Sequence, residues 1–394
     1  MIYLDNNATT CVAPEVFDAM KPYLTQLYGN PSSAHSLGQQ MKSAVENARA
    51  EVASLLGAGS EEEVVFTSCG SEADNWAIRG VLEAEPDKRH VVTTLVEHEA
   101  VRNLGLRLEK QGYEVTWLGV NRDGELDLDE LRASLRPDTA LVSVMLANNE
   151  TGVLFPIEVI GQVIREHSGA AFHVDGVQAV AKVPINLSTL EVDLFALSGH
   201  KFHAPQGVGA LYIRKGFELA PYLIGGSQER GRRAGTSAVA NIVGLGAAAR
   251  LAQINDGSHK RVRRLRDALE DRLLAVVPNA LLNGVADRSK RLPNTANISF
   301  QYLEGENILR MLDAEGICVS TGSACHSSTH ESSPTLRAMN VPYTAAQGSI
   351  RFSVGRYNSE ADIQRTLEVL PPMIAKLVEM SPYTEELGRV DNVQ

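Results

Sequence analysis

Several protein classes are excluded by what the 394-residue sequence lacks. It has four cysteines, Cys11, Cys69, Cys318 and Cys325, and no two form a Cys-x-x-Cys pair. A zinc or iron–sulfur site is therefore not indicated, and no metal ligand is assigned. No apolar run approaches the length of a membrane span. The first residues, Met1 to Asn7, carry no basic segment and no long apolar stretch, so no secretory signal is expected. The expected compartment is cytoplasmic, where the cysteines stay free thiols. Basic residues are outnumbered, 37 against 48 acidic, for a net charge of -11. A nucleic-acid partner, whose phosphates select basic surfaces, is not expected. Neither an internal repeat nor a low-complexity tract is visible.

With 44% hydrophobic and 22% charged residues the composition is that of a globular protein. The length is enough for more than one domain. After a polar arm at residues 3–10 (Tyr-Leu-Asp-Asn-Asn-Ala-Thr-Thr), a helix is expected to start at Pro14 and another to cover residues 36–56. Strands at 64–67, 90–95, 114–118, 139–146, 171–174 and 192–197 then alternate with helices at 73–82, 100–110, 128–135 and 157–166. That alternation predicts a mostly parallel sheet covered on both faces. A strand at 208–213 follows too closely for a crossover and is expected to pair antiparallel. Residues 224–237 form a Gly/Arg-rich loop, followed by helices at 238–252 and 259–276. From about residue 260 a smaller α+β unit is expected, with strands near 295–300, 317–320 and 348–354 and helices near 305–314 and 359–379. The boundary falls near residues 255–258.

Open α/β sheets bind ligands at the carboxyl ends of their strands. Past the strand at 64–67 stand Gly70 and Ser71, at a helix start suited to a phosphate. Past the strand at 90–95 stands His98, able to stack on an aromatic ring and exchange protons near neutral pH. Past the strand at 139–146 come Asn148, Asn149 and Glu150. Asp175 and Gln178 follow the strand at 171–174; an acid closing an apolar strand is costly unless it meets a cation. Ser198, His200 and Lys201 close the strand at 192–197, and a desolvated lysine is a usable nucleophile and base. Taken singly, each has an ordinary explanation: a helix cap, a structural histidine, turn chemistry, a salt bridge, a lysine reaching solvent. Taken together they place a phosphate cradle, an aromatic stacker, an acid and a lysine on one sheet edge, which is what pyridoxal 5'-phosphate (PLP) needs. In the smaller unit, Cys325 lies in a small, polar stretch at residues 320–333 and is a candidate nucleophile beside His326, in an expected mobile loop. Cys318 reads as a strand residue. Arg351, on a strand, suits a bidentate pair with a substrate carboxylate better than Arg356 does.

The sequence resembles the NifS/IscS-type cysteine desulfurases, class-V aminotransferase relatives among the fold-type-I PLP enzymes, and is closer to the NifS branch. The resemblance runs from residue 3 to about 358. It rests on residues 3–10, 29–33 (Gly-Asn-Pro-Ser-Ser), 67–72 (Thr-Ser-Cys-Gly-Ser-Glu), 97–98, 147–152 (Ala-Asn-Asn-Glu-Thr-Gly), 173–179 (His-Val-Asp-Gly-Val-Gln-Ala), 198–201 (Ser-Gly-His-Lys), 229–236, 323–325 (Ser-Ala-Cys) and 351–353. It implies a large, mostly parallel seven-stranded sheet domain at 14–257, a smaller α+β domain at 258–394 carrying the Cys325 loop, and an arm at 1–13 joining the small domain. It implies PLP held by Lys201, with Asp175 at the pyridine nitrogen, Gln178 at the phenolic oxygen and His98 stacked on the ring. Gly70, Ser71, Ser198 and His200 would hold the phosphate, with Thr236 reaching the phosphate of the other subunit of a homodimer. Asn149 and Arg351 would bind the carboxylate of L-cysteine, and Cys325 would accept its sulfur. Lys201, Cys325 and His98 are thus the expected catalytic residues. The implied partners are a sulfur acceptor or iron–sulfur scaffold protein, with nitrogenase maturation as one destination. Three positions depart from the family's usual pattern: Ser71 for Thr, Gly176 for Ala and Gln206 for Lys.

Other readings are a selenocysteine lyase or an aminotransferase on the same fold, or a non-catalytic sulfur or iron–sulfur carrier. The Cys325 stretch argues against an aminotransferase. The scatter of the cysteines and the Lys201 constellation argue against a carrier.

Overall fold

The structure is a computed structural model that describes residues 1–254, 256–321 and 332–381. Its centre is a seven-stranded sheet in the order Val64–Thr67, Gly209–Ile213, Leu194–Ser198, Ala171–Asp175, Thr139–Met145, His90–Thr94, Glu114–Leu118. Gly209–Ile213 pairs antiparallel with both its neighbours and the remaining pairs are parallel. Six of the strands therefore point their carboxyl ends the same way, as the strand–helix alternation predicts.

Both faces of this sheet are buried. One carries Val64, Phe66, Val142, Val144, Phe172 and Phe195 against helices Pro14–Thr25, Ser36–Leu56 and Val239–Ala252. The other packs Val65, Val91, Leu141 and Leu211 against helices Gly70–Ala84 and Glu99–Lys110. Strands buried on both sides read as continuous apolar runs, which made them visible in the sequence.

A second sheet is antiparallel throughout, in the order Ser320–Thr321, Ser349–Ser353, Thr295–Phe300, Ala280–Leu282. Helices Ser258–Val276, Gly305–Ala314 and Glu360–Met380 cover it with a core that includes Leu269, Phe300, Ile308 and Phe352. The polar arm belongs to this side. Ile2–Tyr3 pairs in parallel with Ile317–Cys318, and Asp5 bridges to Ser353.

Three differences from the sequence reading have local causes. The strand expected at 192–197 is Leu194–Ser198, because Asp193 is pulled aside. Its carboxylate accepts from Arg165 (2.6 Å) and the Phe172 amide (2.8 Å). The strand expected at 317–320 is divided: Ile317–Cys318 serves the arm, and Ser320–Thr321 serves the antiparallel sheet. Ala280–Leu282 is a three-residue edge strand, too short to show a period.

Gly176, one of the departures from the family pattern, has a packing cause. A Cβ built there would lie 1.9 Å from Phe195 Cζ, and Phe195 is buried on the neighbouring strand. Glycine at 176 is what lets a phenyl ring occupy 195. Gly176→Ala is expected to lower stability by roughly 1–3 kcal/mol through overpacking. Combining it with Phe195→Val should restore most of that loss. Thermal unfolding of the three variants checks this; an unchanged Tm for Gly176→Ala alone would rule out the packing account.

Candidate active site

The carboxyl ends of five strands converge on one cavity of about 200 Å³. Gly70, Ser71, His98, Asn149, Asp175, Gln178, Ser198, His200 and Lys201 all line it. Nine of the residues chosen from the sequence thus share one site. Arg351 and Thr236 are not among its lining residues. Arg351 lies one hydrogen bond away: its Nη1 donates to the Asn149 carbonyl (3.0 Å) and its Nη2 to Asp5 (2.8 Å), while its buried Nε has no partner among the described residues. Thr236 is exposed on the Gly/Arg-rich loop. Cys325 lies outside the described residues, as does His326.

Each side chain is placed by a local device. Cys69 caps helix Gly70–Ala84, its sulfur accepting from the Glu72 amide (3.4 Å). The helix therefore begins at Gly70, three residues earlier than its apolar pattern suggests. A Cβ at Gly70 would lie 2.7 Å from Val177 Cγ2, so only glycine allows this close approach. His98 caps helix Glu99–Lys110 through Nδ1, leaving its ring exposed at the cavity. Lys201 ends a single 3₁₀ turn, Gly199–Lys201, directly after strand Leu194–Ser198. Its amine donates to the carbonyls of Asn7 (2.6 Å) and Ala8 (3.0 Å). The Asn/Thr-rich arm thus borders the cavity: Gln178 Nε2 also donates to the Asn7 carbonyl (2.9 Å). The His200 ring meets Thr9 Oγ1 (3.0 Å).

Around Asp175 lies a buried titratable cluster, Asp74, Glu97 and His173, to which sequence reasoning gave no role. Asp175 is 5% exposed. Burial pushes its carboxyl up, against the pull of His98, of the Val177 amide (2.9 Å) and of Lys201. Next to it Asp74 is pushed well above the usual carboxylate range, first by burial and then by Asp175 and Glu97. Its Oδ1 has no hydrogen-bond partner and sits 3.5 Å from His173 Nε2. Burial drives His173 down to about 3, so the ring is neutral and meets Ser143 through Nδ1 (2.9 Å). Burial lifts Glu97 to about 8, although Thr94 and the Met145 amide donate to it. Around the lysine the opposite holds: burial, Lys201 and Lys182 bring His200 down to about 4.

The Gly/Arg-rich loop is pinned beside the phosphate-cradle candidates. Buried Arg49 pairs with Glu229 (2.7 Å), and Glu229 also accepts from the Phe66 amide (3.0 Å). Arg233 pairs with Glu72 (2.8 Å). Burial raises the Glu72 carboxyl, but Arg233 and Ser68 together hold it below its ordinary value. Glu229 and Arg230 both adopt left-handed backbone, φ 48° and 58°, a costly conformation that these ion pairs hold in place.

A doubly covered parallel sheet with a lysine, an acid and a glycine-started helix at one edge is the arrangement of a fold-type-I PLP enzyme. The chain belongs to the aminotransferase class-V family, which it matches over residues 2–366. It is 57% identical over 387 residues to a cysteine desulfurase of Trichormus azollae, covering 98% of this chain and 96% of that protein. It is 50% identical over 392 residues to the cysteine desulfurase NifS of Azotobacter vinelandii, covering 99% and 97%. A solved NifS-like protein superposes with a TM-score of 0.89 at 37% identity, over 95% of this chain and 100% of that one.

The residues present fit PLP. Buried Asp175 lines the cavity with its charge opposed by burial and favoured by His98, the Val177 amide and Lys201, so it suits a protonated pyridine nitrogen. The glycine-lined start of a 15-residue helix, with Ser198 and His200 facing it, suits the phosphate.

The carboxyl group gives a pH test. Glu97's folded pKa lies above its unfolded one, so the group costs nothing below the ordinary carboxylate range, destabilises the fold progressively as pH rises from there to about 8, and adds no further cost above that. Glu97→Gln keeps the acceptor for Thr94 and Met145 and removes that cost. The variant is expected to unfold near the wild-type temperature at pH 4 and to gain on the order of 4 kcal/mol at pH 9. Calorimetry at the two values checks this; an equal gain at both would show that Glu97 does not titrate.

Proposed function

We propose that this protein is a PLP-dependent cysteine desulfurase that converts L-cysteine to L-alanine and leaves the sulfur as a persulfide on Cys325. The convergence of Gly70, Ser71, Asp175, Gln178, Ser198, His200 and Lys201 on one cavity, in a chain so similar to cysteine desulfurases, carries this reading.

Bound at this site, PLP would supply an electron sink for the charge left at the substrate Cα. Lys201 would hold the cofactor, and its amine would serve as the base for the substrate Cα proton. Asp175 would keep the pyridine nitrogen protonated, Gln178 would donate to the phenolic oxygen, and His98 would stack on the ring. Gly70, Ser71, Ser198 and His200 bind the phosphate. Asn149 and Arg351 orient the substrate carboxylate, and their mutual hydrogen bond means one carboxylate can meet both.

Cys325 is assigned from its motif, and the described residues on either side support it. Ser320 pairs with Arg351 across the antiparallel sheet. Ser333 donates to Glu150 (2.5 Å), next to Asn149. Both ends of the segment that carries the thiol are therefore tied beside the proposed carboxylate subsite. Its thiolate attacks the substrate sulfur: a sulfur–sulfur bond forms, the carbon–sulfur bond breaks, and protonation of the remaining carbon gives alanine.

The exposed, pinned Thr236 is suited to reach the partner's phosphate in a homodimer. A sulfur acceptor or iron–sulfur scaffold protein then takes the persulfide, and the likeness to NifS favours nitrogenase maturation as one destination. Among the described residues no helix is long and apolar enough to cross a membrane, in keeping with a cytoplasmic enzyme. We further propose the domain division 14–257 and 258–394, with the arm 1–13 joined to the latter.

The test is release of alanine and sulfide from L-cysteine in the presence of a thiol reductant. Equal amounts of both are expected. Cys325→Ser should retain the cofactor's visible absorbance and lose the persulfide, with turnover down at least about a hundredfold. Lys201→Ala should lose that absorbance. Full turnover by Cys325→Ser would remove the cysteine from its role.

A further inference from the structure

A second lysine, Lys182, stands close to Lys201 without any part in the chemistry described above. It follows Gln178 by one turn, and the residue as a whole is only partly buried. Its amine, however, is turned into the interior. There it donates to Gln178 Oε1 (2.7 Å) and Asn7 Oδ1 (3.2 Å). The Gln178 amide is therefore held from both ends, because its Nε2 donates to the Asn7 carbonyl (2.9 Å).

The two ends of a glutamine amide have nearly the same shape, so neighbours decide which end faces a ligand. The Asn7 carbonyl is a divided acceptor, since Lys201 Nζ also donates to it at 2.6 Å. Lys182 supplies the second constraint. Asn7 Oδ1 accepts from Asn294 Nδ2 as well (3.0 Å), so it faces the amine as an acceptor. In either protonation state the amine retains the two N–H bonds that Asn7 and Gln178 require.

We propose that Lys182 is a positioning residue for the cofactor: by donating to Gln178 Oε1 it turns the amide N–H₂ towards the cavity, where it meets the phenolic oxygen of PLP. This rests on the proposed function. The charged and titratable groups that act on Lys182 are Lys201 and Arg351, and those that feel it include His200 and His203. Among the described residues no carboxylate forms an ion pair with it. Burial, then Lys201 and Arg351, push its amine well below the usual lysine range.

The test uses full-length protein carrying PLP and reads the pH midpoint of the cofactor's visible absorbance band together with PLP affinity. Lys182→Met matches the stem and removes the donor. A phenolic oxygen that loses a donor holds more tightly the proton it shares with the lysine-bound nitrogen, so the midpoint rises. Lys182→Met should raise it by about one pH unit and weaken PLP binding about tenfold. Gln178→Leu should shift it the same way. Adding Lys182→Met to Gln178→Leu should shift it no further, because the route through the amide is already gone. Lys182→Arg, which keeps a donor-only group and serves if the methionine variant fails to fold, should hold the wild-type midpoint.

An unshifted midpoint in yellow Lys182→Met protein would overturn the inference. So would a full additional shift in the Gln178→Leu background, since Lys182 would then act as a bare charge. A wild type that takes up no PLP would instead overturn the functional reading and this inference with it.

Discussion

The structure depends on one peptide of the N-terminal arm. The carbonyl of Asn7 accepts from Lys201 and Gln178, and its side chain links Lys182, Asn294 and Thr295. The same residue's amide donates to Ser353 Oγ on the antiparallel sheet (2.9 Å). Asn7 thus touches the end of the parallel sheet, the turn after Asp175 and the second sheet at once. A few residues earlier, Ile2–Tyr3 and Asp5 fix the arm to Ile317–Cys318 and Ser353. Hydrogen bonds at a single buried peptide are individually modest. Here they are shared among several elements, so loss of the arm would unfasten the lysine, the glutamine and the seam between the sheets together.

The chemistry of the site was more legible in the sequence than its support. Lys201, Asp175 and Gly70 each stand at the end of an apolar run, where a charge or a glycine is conspicuous. A strand-by-strand reading of the carboxyl ends therefore collected nine residues that do line one cavity. Asp74 and Lys182 left no such mark. Asp74 sits inside a helical stretch beside Asn75 and reads as a solvent-facing polar residue, yet it is 1% exposed. Lys182 follows Ala179-Val180-Ala181 in a turn with no period to interrupt. Asp74 was hidden because its neighbour His173 is distant in sequence, and Lys182 because its contact with Gln178, four residues back, matters only through Asn7, which is distant. Helix starts were misplaced for a related reason. A cysteine cap at Cys69 is not a usual signal, so Gly70–Ala84 begins before its apolar pattern does.

Departures from a family pattern are informative when the neighbour that permits them can be named. Gly176 would be a puzzling loss of a methyl group if viewed alone. Beside Phe195 it is the residue that leaves room for the ring on the neighbouring strand. The space a methyl group at 176 would need is taken by the Phe195 ring. Gln206, by contrast, is exposed, and its carbonyl accepts from Asn241 (3.3 Å). That contact uses the backbone and does not depend on the side chain, so the charge lost there need not disturb the fold.

The cavity also sorts charge. On one side lie Asp175, Asp74 and Glu97, each raised by burial, with a neutral His173 behind them. On the other lie Lys201, Lys182, Arg351 and a neutral His200. Buried like charges cannot all ionise, so each side stays short of the counter-charge that would settle it. Asp175 alone on its side has an amide donor, an imidazole and Lys201 favouring its ionised form, so it is the carboxyl that accepts a cation. The basic side has a complementary appetite for anionic oxygens. A flat ligand with a cationic ring nitrogen at one edge and oxyanions at the other relieves both sides in a single orientation. The charge on the two sides of the cavity thus favours one direction for such a ligand.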